Sequence, residues 1–318
     1  MIAISVIVCA HNPRRDYFRR VLEALRAQSM PTTEWELLLV DNASTEPLAS
    51  WADVSWHEQG RHIREPNLGL SWARICGIGL AKGGLLVLVD DDNVLRSDYL
   101  AHARSIASEH PELGAWGGNV ELEFEQLPEE WTKRYWSLLA ARVVSADAQG
   151  RSTHHDAAIT PIGAGMCVRR EVALLYREQW HKSSLRQLLE RKGQALISGG
   201  DTDLALTACD MGLDNGLFAR LNLIHLIPRH RVTEDYLLRL REGVATSSLL
   251  LQLVRGTPVK RLPQGLKWWT RVIYDCARKR GRKRRFYLAE VRGRRSALRV
   301  FMLAQPGRTT AAARGKGE

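Results

Sequence analysis

Three consecutive carboxylates, Asp90-Asp91-Asp92, are the residues of this chain whose type and spacing best suit chemistry. Like charges placed side by side repel one another, and a divalent cation relieves that repulsion. Asp90 and Asp92 are two residues apart, so on an extended chain their side chains project the same way. Oxygen ligands of this kind are typical of Mg2+ or Mn2+ sites that leave room for substrate phosphate. The alternative is a solvated acidic turn in front of a helix.

The carboxylates follow an apolar segment, residues 85–89, whose length and valine content predict a strand buried on both faces. Two earlier strands, predicted over residues 4–9 and 35–40, also end in polar clusters, and a helix is predicted over residues 15–29 between them. Two βα units in succession predict a parallel sheet flanked by helices. Ligands of such sheets bind at the carboxyl edge, where the three carboxylates stand.

Further elements follow from the same spacing of apolar residues. They are a short strand over residues 57–64, a helix over 70–80, a helix over 97–110 and a helix over 236–255. The short strand leads into a third polar cluster, Glu65-Pro66-Asn67-Leu68-Gly69, and the helix after it carries Arg74 one turn in. These groups are therefore expected at the same edge of the sheet as Asp90.

Composition places the chain among soluble globular proteins, with 45% hydrophobic and 25% charged residues in 318. No apolar run approaches the roughly 18 residues needed to span a bilayer. The five cysteines are scattered and include no Cys-x-x-Cys pair, a pattern that fits small core residues in a reducing cytoplasm. The sequence contains no Walker-type phosphate loop. Neither Gly77-x-Gly79 nor Gly163-x-Gly165 opens a βαβ unit, so the sequence does not fit a Rossmann dehydrogenase.

Positive charge is concentrated at the end of the chain. Residues 1–254 hold 27 Lys and Arg against 32 Asp and Glu, whereas residues 255–318 hold 19 against 3. We therefore predict a catalytic domain over residues 1–235, a basic helical region over 236–304 and a disordered tail over 305–318. Basic residues interleaved with Trp268-Trp269 and other aromatics favour an anionic membrane surface as the partner of this region. The alternative is that these aromatics cover an apolar patch on the core.

Four segments resemble, in order and spacing, glycosyltransferase family 2 with the GT-A fold. They are Val6–Asn12, Val40–Thr45 (V-D-N-A-S-T), Asn67–Arg74 (N-x-G-x-x-x-A-R) and Asp90–Asp92 (D-x-D). A further stretch, residues 162–171, resembles the glycine-containing strand that backs the acceptor side in this family. The resemblance covers residues 4 to about 235, nearly three quarters of the chain. It implies an α/β GT-A fold whose mostly parallel nucleotide-binding sheet is flanked by helices, and the chain adds a basic helical C-terminal extension.

The resemblance also implies a set of site residues. Those expected to bind a nucleotide-sugar are Ala10, Asn12, Asp41, Asn42, Asn67, Arg74, Asp90 and Asp91, with Asp41 at the nucleobase. Those expected at the metal, Mg2+ or Mn2+, are Asp90, Asp92 and His225. Arg74 is equally well interpreted as a solvated helix residue, and a lone histidine in an apolar strand is often a core residue.

The resemblance makes Asp201 the candidate general base. It lies in Ser198-Gly199-Gly200-Asp201-Thr202-Asp203, just before an amphipathic helix whose dipole favours an ionised carboxylate. Family members usually carry Glu-Asp here, and Gly200 replaces the Glu, which weakens any inference about the acceptor. Asp203 is the second candidate for the base, and the role of a simple helix N-cap is compatible with either. His154-His155-Asp156 lacks a partner pair at zinc-ligand spacing, so we interpret it as a loop over the site.

The sequence thus predicts an inverting, metal-assisted glycosyltransferase that moves a sugar from a nucleotide-diphospho-sugar to a hydroxyl of a saccharide or lipid-linked acceptor. One carboxylate base suffices for such a single displacement. The expected setting is polysaccharide or glycolipid synthesis at the cytoplasmic face of the cell membrane. The alternatives are a sugar-phosphate nucleotidyltransferase, which should carry a Gly-rich basic loop after the first strand, and a nucleic-acid-binding protein, for which no recognition motif is present.

Overall fold

A computed structural model of the chain describes residues 2–190, 196–259 and 261–304, and within them nine strands and eight α-helices. The strands are β1 Ile4–Ala10, β2 Trp35–Asn42, β3 Gly60–Glu65, β4 Leu85–Asp90, β5 Asn93–Leu95, β6 Leu113–Phe124, β7 Ala148–Gly150, β8 Cys167–Arg169 and β9 Asp214–Ile227. The helices are α1 Arg15–Arg26, α2 Leu70–Leu80, α3 Tyr99–Glu109, α4 Arg170–Lys182, α5 Gly200–Asp210, α6 Glu234–Val254, α7 Leu266–Ala277 and α8 Gly281–Ala304.

The first half of the sheet is parallel, in the order β3-β2-β1-β4. Every residue of β1 and β2 is buried, as expected of strands covered by helices on both faces. α1 turns its apolar stripe, which includes Phe18, Val21 and Leu25, into the core. The strands of this half therefore end at one common edge, where their polar clusters meet.

The second half of the sheet contains the antiparallel pairings, because β4 is followed across the sheet by β8, β6, β9 and β5. Among the described strands of this half, β6 and β9 are the one pair that runs parallel. The β5–β9 pairing sets Asn93 opposite His225. This register brings the turn after β4 next to a strand more than 120 residues further along the chain.

The chain divides into two compact units. The first contains residues 1–179 and 200–233, with the whole sheet, and the second contains residues 180–199 and 234–318. The domain boundary predicted at residue 235 stays a prediction, and the tail predicted to be disordered, 305–318, lies outside the described residues. No helix among the described residues is both long and apolar enough to cross a membrane.

The second unit is built around α6 and α8, which pack closely. The hydroxyl of Thr246 in α6 donates to the carbonyl of Gly293 in α8 at 3.1 Å, and a Cβ at Gly293 would overlap the Glu242 carbonyl oxygen. The segment before α5 belongs to the same unit, since the Ser198 amide donates to the Ser247 hydroxyl at 2.8 Å. α8 is therefore a packed helix of this unit.

Candidate active site

The side chain of Asp41, near the end of β2, is hydrogen-bonded to the loop that follows this strand. Its carboxylate accepts hydrogen bonds from the amides of Ser44 and Leu48 at 2.9 and 3.1 Å and from Arg64 at 2.5 Å. Burial raises the pKa of Asp41, but these hydrogen bonds outweigh burial and lower that pKa below its usual value. The carboxylate is therefore held ionised and rigid at the carboxyl edge, beside the end of β1, where Ala10 pairs with it in register.

Three asparagines join the neighbouring loops. Asn12, with a left-handed φ of 46°, accepts from the Thr45 amide at 2.8 Å. Asn42 donates to the Asn67 carbonyl at 2.7 Å and accepts from the Gly69 amide at 2.8 Å, at the start of α2. The structure thus brings Ala10, Asn12, Asp41, Asn42 and Asn67 together in one loop network at the carboxyl edge. Their predicted contact with a nucleotide stays a prediction.

Arg74 lies between two carboxylates. The side chain is buried, with 9% of the residue exposed, and its Nη2 donates to Asp90 Oδ1 at 3.0 Å. Burial lowers the pKa of Arg74, but the charges of Asp90 and Asp201 raise it overall, so the guanidinium stays charged. Of the two interpretations left open by the sequence, the solvated helix residue is wrong, because Arg74 is an internal ion-pair partner.

Asp201 is positioned by backbone amides. It stands in the first turn of α5, where its Oδ2 accepts from the Gly163 amide at 2.9 Å and its Oδ1 from the Thr202 amide at 2.9 Å. A Cβ at Gly163 would lie 2.7 Å from Arg74 Nη2 and 2.9 Å from Asp201 Oδ2. The absence of a side chain at Gly163 thus allows the backbone, the guanidinium and the carboxylate to meet.

Asp203 lies in the interior. It is 0% exposed, two residues after Asp201 in α5, and its backbone carbonyl accepts from the Thr207 hydroxyl at 2.9 Å. A Cβ at Gly200 would stand 3.3 Å from both the Ser71 and the Tyr176 hydroxyl oxygens. The space beside Gly200 is therefore bordered by two hydroxyl groups.

Asp92 and His225 form a second polar pair, placed by the β5–β9 register. Asp92 Oδ2 lies 3.3 Å from His225 Nε2, and Asp92 Oδ1 accepts from the Asn93 side-chain amide at 3.0 Å. His225 Nδ1 is 3.0 Å from the Leu139 carbonyl oxygen, which can only accept, so Nδ1 carries the proton. The His225 Nε2 atom therefore faces the Asp92 carboxylate.

The environment of the carboxylate cluster affects its members differently. Burial together with the charges of Asp92 and Asp90 raises the pKa of Asp91 to about 8. Burial also raises the pKa of Asp92, but His225 and Arg231 outweigh it and lower that pKa to about 2. Within the described residues, no three His, Cys, Asp or Glu side chains form a ready-made metal site. Asp92 pairs with His225, whereas Asp90 pairs with Arg74.

Three further arginines belong to this region, and none of them was predicted as a site residue. Arg64 pairs with Asp41, and Arg231, just after β9, donates to Asp92 Oδ2 at 2.8 Å. Arg142 donates to the Thr160 carbonyl at 2.9 Å and interacts electrostatically with Asp201, as does His155 of the predicted loop. Strand pairing between distant segments determines these positions, so no local pattern indicates them.

A family model described as Glycosyl transferase family 2 matches residues 5–172. A glucosyl-dolichyl phosphate glucuronosyltransferase from Haloferax volcanii is 25% identical over 181 residues, which is 54% of this chain and 54% of that protein. The glycosyltransferase AglE of the same organism is 27% identical over 124 residues, covering 38% of this chain and 40% of that protein. The chain spans between 12% and 54% of the length of the curated relatives it matches.

Among solved structures, the chain is similar to a crystal structure of GalNAc-T7 with UDP, GalNAc and Mn2+. The TM-score is 0.51 at 14% sequence identity, and the match covers 87% of this chain and 58% of that chain. A likeness at this level of identity concerns the fold alone. It agrees with the mixed sheet flanked by helices, and the predicted GT-A fold class is confirmed.

Proposed function

The chain belongs to glycosyl transferase family 2, and from that premise we propose that it is an inverting glycosyltransferase acting on a nucleotide-diphospho-sugar donor. The acceptor in this proposal is a hydroxyl group of a saccharide or of a lipid-linked sugar. The family match favours this function over the two alternatives from the sequence, a sugar-phosphate nucleotidyltransferase and a nucleic-acid-binding protein.

The observation that carries the proposal is the arrangement around Arg74. One guanidinium is hydrogen-bonded to Asp90 and interacts electrostatically with Asp201, so the proposed donor-side carboxylate and the proposed base share one buried positive charge. Asp201 is partly exposed, whereas Asp203 is fully buried. A base must reach the proton it accepts, which favours Asp201.

In the proposed reaction, Asp201 accepts the proton of the acceptor hydroxyl while that oxygen attacks the anomeric carbon. The bond to the nucleoside diphosphate breaks on the opposite face of the sugar, so the anomeric configuration inverts. The Gly163 amide orients Asp201, and Arg74 holds Asp90. The loop network of Asn12, Asp41, Asn42 and Asn67 would line the nucleoside end of the donor.

We further propose that Asp90, Asp92 and His225 hold Mg2+ or Mn2+. Two observations support this proposal. Asp92 Oδ2 and His225 Nε2 are 3.3 Å apart, and His225 Nδ1 is hydrogen-bonded to the Leu139 carbonyl oxygen, as in many metal-binding histidines. Such ions are usually held by few protein ligands together with substrate phosphates. When bound, the ion would neutralise charge that develops on the leaving diphosphate.

The experiment combines binding with product analysis. UDP, GDP, dTDP and their sugars are tested for a rise in the melting midpoint with and without Mn2+, and the donor that binds is then used in a transfer assay. We expect one nucleotide to stabilise the protein, more strongly with Mn2+, and NMR of the product to show the inverted anomer. Retention of configuration, or no stabilisation by any nucleoside diphosphate, would contradict the proposal.

A membrane surface is the proposed location of the reaction. α7 exposes three apolar side chains at helical spacing, Leu266 (80% exposed), Trp269 and Ile273 (65%). Residues 266–304 contain 13 Lys and Arg against 2 acidic residues. An apolar helical face set in positive charge fits an anionic lipid surface, such as the inner face of the cell membrane.

Vesicle binding tests this location. Replacing Leu266 and Ile273 together by Ser is expected to weaken binding to vesicles with anionic lipid about tenfold or more, since two apolar side chains no longer enter the interface. The control replaces Leu127 (88% exposed) and Val143 (90%) in the first unit by Ser. High salt should weaken wild-type binding. Equal binding by wild type and the α7 variant would contradict the proposal.

A further inference from the structure

The side chain of Arg231 contacts both members of the proposed metal pair with a single nitrogen. Arg231 lies in the short 3-10 segment Arg229–Val232 that follows β9. Its Nη1 is 2.8 Å from Asp92 Oδ2 and 3.4 Å from His225 Nε2. The guanidinium therefore occupies the space in front of the two atoms that the proposed function assigns to the cation.

Arg231 Nη1 lies against the two atoms through which this pair would bind an ion. His225 Nδ1 is 3.0 Å from the Leu139 carbonyl oxygen, and the other ring nitrogen, Nε2, is 3.4 Å from Arg231 Nη1. Asp92 Oδ2 accepts from the same Nη1 atom at 2.8 Å. A divalent cation bound by Asp92 and His225 would coordinate these same two atoms.

We propose that Arg231 is an internal competitor for the divalent cation, occupying the Asp92–His225 pair when no ion is bound. This inference rests on the metal site of the proposed function and concerns Arg231, which that function does not use. Two ligand atoms 3.3 Å apart contact one ion at about 2.1 Å each, which leaves no room for a guanidinium nitrogen between them. Binding of the ion and contact with Arg231 are therefore mutually exclusive at the Asp92–His225 pair.

The exchange couples metal binding to donor binding. A divalent cation repels the guanidinium that it displaces, so the free enzyme should bind the ion weakly. The displaced Arg231 can pair with an anionic group that enters with the ion, and the diphosphate of the donor is such a group. Ion and donor should therefore each raise the affinity for the other.

Manganese titration without donor tests the competition. Free Mn2+ is measured by electron paramagnetic resonance for wild type, Arg231→Ala and Arg229→Ala. Arg229 is exposed on the same 3-10 segment, so the control removes the same charge without touching the pair. We expect Arg231→Ala to bind Mn2+ at least about tenfold more tightly than wild type, and Arg229→Ala to bind like wild type. Arg231→Gln replaces the Ala variant if that protein does not fold.

Thermal unfolding provides a second measure that is independent of activity. Mn2+ should raise the midpoint of Arg231→Ala by more than that of wild type, because the Asp92 carboxylate that has lost Arg231 then gains a counter-ion from solution. Unchanged or weaker Mn2+ binding by Arg231→Ala, with binding lost in Asp92→Asn, would overturn the competition and leave the metal site standing. Absence of Mn2+ binding in every variant would overturn both.

Discussion

The two units of the molecule treat charge in opposite ways. At the carboxyl edge of the sheet in the first unit, three carboxylates are each matched to a particular arginine: Asp41 to Arg64, Asp90 to Arg74 and Asp92 to Arg231. In the second unit, residues 266–304 carry 13 basic residues and 2 acidic ones, and many of the basic side chains are exposed. The paired charges of the first unit fix the positions of particular side chains, whereas the excess positive charge of the second unit attracts anions in general.

The difference has an energetic basis. Removing one partner of a buried ion pair costs about 3–5 kcal/mol because a buried charge is left uncompensated. An exposed pair contributes about 0–1 kcal/mol and is screened by salt. Substitutions at the sheet edge should therefore have large, residue-specific effects, whereas single charges of the second unit should matter little.

The largest expected effect is that of Asp201→Asn. The amide keeps the size of the carboxylate and can still accept from the Gly163 amide, but it cannot take up a proton. We expect turnover to fall roughly 100-fold or more with donor affinity nearly unchanged, measured by steady-state kinetics and donor binding.

Asp203→Asn is the matched control for this prediction. Because Asp203 is buried, its replacement should lower the melting midpoint. Turnover per folded molecule should fall much less than it does in Asp201→Asn. The opposite ranking of the two variants in turnover would mean that the base has been assigned to the wrong carboxylate.

Gly163→Ala tests whether the exact positions of Arg74 and Asp201 matter, because it displaces one of them without removing a charge. The added methyl group would lie 2.7 Å from Arg74 Nη2 and 2.9 Å from Asp201 Oδ2, so one of the two must shift. We expect turnover to fall about 10-fold to 100-fold, since displacements near 1 Å have effects of this size. Gly84→Ala, where nothing lies within 4 Å of the added carbon, should behave like wild type. Equal activity of the two variants would show that the contact is not required.

The second unit should respond to packing more than to single charges. Gly293→Ala places a methyl group against the Glu242 carbonyl and is expected to lower the free energy of unfolding by about 1–3 kcal/mol. Arg292→Ala removes an exposed 2.8 Å ion pair with Glu242 and should cost less than about 1 kcal/mol. Urea unfolding at two salt concentrations measures both. A larger loss for Arg292→Ala would contradict the contrast between the units.

The smallest expected effect concerns His57 and pH. Burial lowers the pKa of His57 below its ordinary value of 6.5, against the opposing charges of Glu58 and Glu36. Below pH 6.5 the unfolded chain therefore binds a proton that the folded protein resists, and stability falls as pH decreases. Wild type should lose more stability than His57→Gln between pH 7.5 and 5.5 in urea unfolding. Equal losses would mean that His57 accepts its proton without cost when folded.

The sequence predicted those features that are encoded by local spacing. The strand over 35–40 and the helices over 70–80 and 97–110 correspond closely to β2, α2 and α3, because each has a periodic apolar pattern. The helix predicted over 236–255 corresponds to α6. The family and the GT-A fold class also followed from motifs that lie within 93 residues of the start.

Features that depend on distant pairing did not follow from the sequence. The antiparallel contact of β5 with β9, and hence the approach of Arg231 to Asp92, results from segments that lie far apart in the chain. Arg74 illustrates the same limit: its helix was predicted, but its burial between Asp90 and Asp201 depends on the assembled sheet. Local periodicity carries no information about such contacts.

The division of the chain into units has a consequence for synthesis on the ribosome. Residues 180–199 belong to the second unit, yet they are made before α5, β9 and α6. The Ser198 amide therefore waits for Ser247, and Leu196 for the Gly243 backbone it packs against, until α6 has left the exit tunnel. These two contacts therefore form only after all the described strands of the sheet have been synthesised, since β9 ends before α6 begins.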